Sequence, residues 1–231
     1  MQSLSIVLPV WNEQDSVRAA VLGALAEIEK RGIPGEVIVV DDGSHDATPR
    51  IVSGIAALDP RVRSVRHAVN CGYGSALARG IAESRCEFVL LTDADLQFDL
   101  RELTRLEAYS RQFDVILGYR ASRADPLHRR VNARIWNAAV QGLLDVRVRD
   151  VDCAFKLVRR QVFDHVHVGS SGAFVSSEIV AGARRAGFRI CEVPVSHFPR
   201  RAGRASGASP AVIARAVVEI GRYVLDPTRS R

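Results

Sequence analysis

Asp93 and Asp95 stand one residue apart at the end of the apolar run Phe88-Val89-Leu90-Leu91, within Thr92-Asp93-Ala94-Asp95-Leu96-Gln97. Side chains alternate along a strand, so both carboxylates leave the same side if the extended backbone persists to that point. Two hard oxygen ligands at that spacing suit Mg²⁺ or Mn²⁺, which bind through one or two carboxylates and take their other ligands from water and a diphosphate. A bare Asp-x-Asp is also common in solvated loops. Position decides between the two: in an open α/β sheet the ligand crevice lies outside the carboxyl ends of the strands.

Three further loops fall at strand ends. Pro9-Val10-Trp11-Asn12-Glu13 follows the first strand, and Asp41-Asp42-Gly43-Ser44-His45-Asp46 follows the second. Asp41 and Asp42 are placed to accept hydrogen bonds from a base edge and ribose hydroxyls, while Ser44, Asp46 and Thr48 fit turn and capping chemistry. The third loop, Asn70-Cys71-Gly72-Tyr73-Gly74-Ser75-Ala76-Leu77, departs from the dinucleotide fingerprint, because Leu77 occupies the third glycine position. Approach to a phosphate and simple helix entry explain this glycine turn equally well.

Positioning these loops requires alternating strands and helices, the pattern of a mostly parallel sheet flanked by helices. Strands are expected at Leu4 to Val10, Glu36 to Val40, Val62 to Arg66 and Glu87 to Leu91, with helices at Asp15 to Lys30, Thr48 to about Leu58 and Ser75 to Ser84. Thr48-Pro49 supplies an N-cap and a first-turn proline. Beyond Gln97 the expectation is a helix at Leu100 to Ser110, a strand at Val115 to Leu117, and an arginine-rich segment from Arg120 to Arg134 merging into a helix that ends near Leu144. A strand at Ala154 to Val158, a helix at Phe174 to Ala186 and a strand at Arg189 to Val195 follow. The two halves, 1 to about 97 and 98–207, should share one sheet as a single domain over residues 1–207. A helical tail occupies 208–231.

At 231 residues, 47% hydrophobic and 25% charged, the chain can bury a substantial core. No stretch approaches the ~20 apolar residues of a bilayer span, and Met1-Gln2-Ser3-Leu4-Ser5 shows neither a basic leader nor a cleavage site, so a cytoplasmic location is expected. Cys71, Cys86, Cys153 and Cys191 are too scattered for a disulfide or zinc framework. The net charge of +6 is carried by arginine, since Lys30 and Lys156 are the only lysines. Arginine excess fits phosphorylated substrates or anionic lipid; no nucleic-acid motif accompanies it, and nucleic acid is not an expected partner.

Taken in order, the loops Pro9 to Glu13, Asp41-Asp42-Gly43-Ser44, Asn70 to Ala76 and Asp93 to Gln97 resemble those of family 2 glycosyltransferases of the GT-A fold. Asp150-Val151-Asp152-Cys153-Ala154-Phe155-Lys156-Leu157 and His197-Phe198-Pro199-Arg200-Arg201-Ala202-Gly203 resemble later motifs of the dolichol-phosphate mannose synthase branch and its bacterial polyprenyl-phosphate relatives. The resemblance implies that Pro9, Trp11, Glu13, Asp41, Asp42 and Ala94 surround the donor. It implies that Asp93, Asp95 and Gln97 handle the metal and diphosphate, that Arg200 joins Asp93 and Asp95 in catalysis, and that Arg120 and Arg134 hold the acceptor phosphate. Trp11 stands where tyrosine is common, and Ser206 where many members carry lysine. The donor implied is GDP-mannose or a UDP-sugar; the acceptor is a polyprenyl or dolichyl phosphate.

A lipid phosphate is already ionised and can attack directly, whereas a sugar hydroxyl needs a base, for which Asp150, Asp152 and Glu178 are the candidates. Transfer to a sugar or polysaccharide hydroxyl is the alternative reading, and a non-catalytic nucleotide-sugar-binding subunit a more distant one. From Pro210 to Leu225 the charged residues Arg215, Glu219 and Arg222 mark one stripe of an otherwise apolar helix. That helix either lies in the interface of the cytoplasmic membrane face or packs on the domain or on a membrane-protein partner.

Overall fold

The computed structural model describes residues 1–122, 136, 138, 140–144, 146–200 and 210–225. Seven strands form one sheet: β1 (Leu4–Val10), β2 (Gly35–Asp41), β3 (Val62–Arg66), β4 (Phe88–Leu91), β5 (Val115–Ser122), β6 (Lys156–Arg159) and β7 (Ile190–Ser196). The order across it is β3-β2-β1-β4-β6-β5-β7. β1 runs parallel to β2 and β4, and β2 to β3, so the loops after β1, β2 and β4 emerge at one edge. β6 is antiparallel to both β4 and β5, with Leu91 opposite Lys156. Its amino end therefore delivers the 150–156 segment to the same edge, beside the aspartates.

The helices are α1 (Val17–Arg31), α2 (Thr48–Ala56), α3 (Tyr73–Glu83), α4 (Leu103–Glu107), α5 (Val175–Arg185) and α6 (Pro210–Leu225). Residues 136, 138 and 140–144 are also helical. Alternate residues of β1 explain the two-sided core. Leu4, Ile6 and Leu8 pack with Val17, Val21, Leu25 and Ile28 of α1, while Val7 packs with Leu77 and Ile81 of α3. A strand buried on both faces reads as a continuous apolar run, as β1 does. A third cluster joins β5 and α5 to α6 through Leu117, Phe174, Val180, Ile220 and Tyr223.

Three local expectations change. Thr48 is the first residue of α2 and Ala47 its N-cap; the threonine hydroxyl instead accepts the Glu13 N–H at 2.9 Å, fastening the β1 loop. The helix expected from Leu100 to Ser110 divides into a 3₁₀ turn (Leu100–Glu102) and the short α4, because Asp99 caps the turn by accepting the Arg101 N–H at 3.0 Å. β5 continues to Ser122, beyond the expected Leu117, by pairing with β7.

Candidate active site

The first two loops are knitted together. Asn12 donates its N–H to the Ser44 hydroxyl at 2.9 Å, and its side-chain oxygen accepts the His45 N–H at 2.9 Å. Asn12 adopts φ 54°, in the left-handed region where asparagine is among the better tolerated residues. The side chains of Asp41 and Asp42 build this corner. Asp41 accepts the Ser44 N–H at 2.9 Å and lies 3.1 Å from Arg66 Nε. Asp42 accepts the Cys71 and Gly72 N–H groups, each at 2.8 Å, and its carboxylate is 2.8 Å from His67 Nδ1. At 1% and 3% exposure both carboxylates are held by backbone N–H groups of this corner. Trp11, in contrast, is 42% exposed.

Asp93 and Asp95 follow β4 as the apolar run requires. Leu96 takes φ 62°, a costly conformation for a branched side chain. Immediately beyond it, the Gln97 N–H turns back to Asp95 at 3.1 Å. Gln97 also donates its side-chain amide to the Phe198 carbonyl at 3.0 Å, and the Phe198 N–H returns a bond to Gln97 O at 2.9 Å. Gln97 thus tethers the 197–200 segment to the aspartate turn. The tether sets Arg200 between two motifs: its guanidinium hydrogen-bonds Glu13 and lies 3.7 Å from Asp95. Ala94 is buried at 2% in the core beneath. His197 packs its ring edge-on to Phe98, with centroids 5.3 Å apart, in the structural role its place beside the turn favours.

Burial pushes the Asp93 carboxyl above its ordinary range, and the Asp95 charge pushes it further, against the Tyr73 hydrogen bond and the Lys156 charge. Asp95 is raised by burial as well, opposed by the Gln97 N–H and Arg200. Two desolvated carboxylates, Asp93 pushed up further by the charge of Asp95 and Asp95 by that of Glu13, form a set that a hard divalent cation would stabilise in the ionised state. The residues present therefore fit Mg²⁺ or Mn²⁺.

Towards the end of β5, Arg120 grips Asp150 with both arms, Nε and a terminal nitrogen lying 2.7 and 2.8 Å from its two oxygens. This bidentate pair occupies both the Arg120 fork and the Asp150 carboxylate. Glu178 is wholly buried and accepts the Gly169 and Ser170 N–H groups at 3.0 and 2.8 Å, so it is structural. Asp152 is the third carboxylate of this part of the chain. It accepts the Trp136 indole N–H at 3.2 Å, and burial raises its pKa to about 6. Arg134 lies outside the described residues.

Three contributors were not singled out by sequence. The Tyr73 hydroxyl donates to Asp93 at 3.0 Å. Lys156, 2% exposed, directs its ammonium to the Cys153 carbonyl and the Ser176 hydroxyl, and burial lowers its pKa against the pull of Cys153, Asp152, Asp150 and Asp93. The sequence signal was a lysine inside the apolar strand Ala-Phe-Lys-Leu-Val. Glu219 of α6 is the third. Along the expected stripe Arg215 Nε lies 3.7 Å from Glu219, and Glu219 also turns inward to accept the Ser171 and Gly172 N–H groups at 3.1 and 2.9 Å. Ala216, Ile220 and Tyr223 are buried beside it, with Tyr223 edge-on to Phe174 at 5.4 Å.

An open sheet whose strand ends gather paired carboxylates and an arginine has the architecture of a GT-A glycosyltransferase. The model for glycosyl transferase family 2 matches residues 5–166, and the chain belongs to that family. Among its relatives, glycosyltransferase AglD of Haloferax volcanii is 32% identical over 96% of this chain and 36% of its own length. The undecaprenyl-phosphate 4-deoxy-4-formamido-L-arabinose transferase of Pectobacterium atrosepticum is 33% identical over 70% of this chain and 50% of its own. The chain thus spans half or less of the length of these two relatives. Glucosyl-3-phosphoglycerate synthase of Mycobacterium tuberculosis, in complex with Mn²⁺ and UDP-glucose, shares the fold with a TM-score of 0.72. It is 18% identical, over 96% of this chain and 79% of that one.

Proposed function

We propose that the chain transfers a sugar, with inversion, from GDP-mannose or a UDP-sugar to a polyprenyl or dolichyl phosphate. The observation that carries this reading is the convergence of Glu13, Asp93, Asp95 and Arg200, drawn from three segments of the chain, at the carboxyl edge of the sheet. Trp11 and the Pro9 to Glu13 loop border the nucleoside, and Asp93 and Asp95 would hold Mg²⁺ or Mn²⁺. Gln97 keeps Asp95 in place through its N–H and stands with Asp93 and Asp95 at the proposed metal site. The bound cation supplies charge neutralisation for the departing diphosphate.

An ionised acceptor phosphate oxygen attacks the anomeric carbon from the face opposite the nucleotide. The bond from that carbon to the donor diphosphate breaks, and its electron pair leaves with the nucleoside diphosphate. Arg200 stabilises the growing negative charge from its place between Glu13 and Asp95. Homology to an undecaprenyl-phosphate sugar transferase supports the lipid acceptor. No described helix is long and apolar enough to cross a membrane. Val217, Val218, Val224 and Leu225 of α6 are exposed, as are Arg215 and Arg222, which supports peripheral contact with the cytoplasmic membrane face or with a membrane-protein partner.

Asp95→Ala should lower turnover by about a hundredfold or more, the scale of losing a major electrostatic stabiliser, and a chelator should do the same to the parent. Full activity in excess chelator would remove the metal from the mechanism. A second reading, transfer to a sugar hydroxyl, draws on Asp152, whose pKa of about 6 suits a general base. Asp152→Asn should retain transfer to a polyprenyl phosphate; a stable variant that binds donor yet loses the chemical step would establish the hydroxyl reading instead.

A further inference from the structure

The C-terminal helix is connected to the donor aspartates by an unbroken series of polar contacts. Glu219 on α6, with its side chain 10% exposed, accepts from the Ser171 N–H, the Ser171 hydroxyl and the Gly172 N–H at 3.1, 3.2 and 2.9 Å. Glu178 on α5 holds the two residues before them, so two carboxylates fix the backbone of the 169–172 loop. That loop in turn holds the start of α3. The Gly74 N–H donates to the Ser171 carbonyl at 2.9 Å.

The fit there excludes side chains. A Cβ at Gly74 would fall 2.1 Å from the Ser170 carbonyl oxygen, and one at Gly72 would fall 2.4 Å from that of Ser171, at a φ of 102° that already favours glycine. Between these two glycines stands Tyr73, whose hydroxyl reaches Asp93 at 3.0 Å. The Gly-Tyr-Gly sequence is thereby explained: glycines permit close approach on both sides, and the tyrosine is aimed by it.

The geometry points to Tyr73 and Glu219 as positioning residues of the donor site, with Glu219 fixing the 169–172 loop, the loop fixing the Gly72–Gly74 turn, and the Tyr73 hydroxyl orienting Asp93 for the divalent cation. The inference rests on the metal reading of Asp93 and Asp95 proposed above and assigns the residues that hold one of those ligands. Hydrogen bonds of this kind set the direction of a ligand, and their loss typically weakens metal binding by about 10-fold to 100-fold. It also makes α6, the helix proposed to face the membrane, part of the donor site's support.

The test titrates Mn²⁺ alone into the full chain and reads the free-ion signal by electron paramagnetic resonance. Tyr73→Phe deletes one oxygen and should weaken Mn²⁺ binding about tenfold with an unchanged melting temperature. In turnover its Mn²⁺ activation constant should rise while kcat recovers at saturating Mn²⁺. Glu219→Ala should weaken binding in the same direction, and Glu219→Gln, which keeps an acceptor oxygen, should restore most of it. Should Glu219→Ala prove too unstable to titrate, Ser171→Ala withdraws one of the donors to Glu219 and should give a smaller effect of the same sign. Asp95→Ala separates the two levels. Parent-like Mn²⁺ affinity in Tyr73→Phe and the position-219 variants, with Asp95→Ala impaired, overturns the positioning inference alone; parent-like affinity in Asp95→Ala overturns the metal reading beneath it.

Discussion

Arg200 and Glu13 show how a residue far along the chain acquires its role. Their contact closes a separation of 187 residues, and it depends on the paired bonds between Gln97 and Phe198 that carry Arg200 to the cleft. Asp152 offers a sharper test at this scale. Its folded pKa of about 6 exceeds its ordinary value of 3.8, so between those pH values the folded chain binds more protons than the unfolded chain. This contribution is therefore favourable at low pH and lost as pH rises through about 6, a change of about 3 kcal/mol if the full displacement is realised. Asp152→Asn mimics the protonated form. It should match the parent near pH 4 and exceed it in stability near pH 7, as read by urea unfolding at both pH values. A variant that loses stability relative to the parent as pH rises would reverse the assigned sign.

At the scale of elements, the strand that delivers Asp93 and Asp95 was legible because four consecutive apolar residues precede a polar turn at a sheet edge. The direction of β6 was not, since alternation and apolar content are the same for parallel and antiparallel pairing. Nor was the Arg120–Asp150 clamp, which joins residues 30 apart through the end of β5. Asp41 and Asp42 carry the same lesson: an acidic pair after a strand does not reveal in sequence the backbone N–H groups it accepts from.

Helix glycines show the same dependence on context. Gly54 in α2 is exposed, and a Cβ there meets nothing within 4 Å, so Gly54→Ala should stabilise the chain by up to about 1 kcal/mol through helix propensity. Gly80 in α3 is buried, and a Cβ there would come within 2.3 Å of Val7 Cγ1 on β1. Gly80→Ala should destabilise by about 1–3 kcal/mol through overpacking, although the local helix gain is the same. Thermal melts of the two variants should therefore shift in opposite directions, and a stabilised Gly80→Ala would show that α3 does not lie that close to β1.

For the molecule as a whole, α6 joins the sheet to whatever covers the remaining helix face. Removing the helix would uncover Phe174 and withdraw Glu219 from the 169–172 loop, so truncation would confound membrane contact with loss of packing. The outward positions separate the two. Val217, Val218, Val224 and Leu225 are 56%, 53%, 45% and 82% exposed, and replacing them leaves the buried Ala216, Ile220 and Tyr223 in place. Val218→Asp combined with Leu225→Asp should preserve the melting temperature and nucleotide-sugar binding. It should weaken co-sedimentation with vesicles containing anionic lipid by about tenfold, since two apolar side chains leave the acyl boundary and two negative charges approach the headgroups. The apparent KM for a long-chain polyprenyl phosphate should rise, whereas that for a short, water-soluble prenyl phosphate should not. High salt should weaken attachment of the parent only in part, because burial of apolar surface is not screened. If the parent itself ignores such vesicles, or the double variant unfolds, the outward face of α6 serves protein packing and the membrane assignment fails.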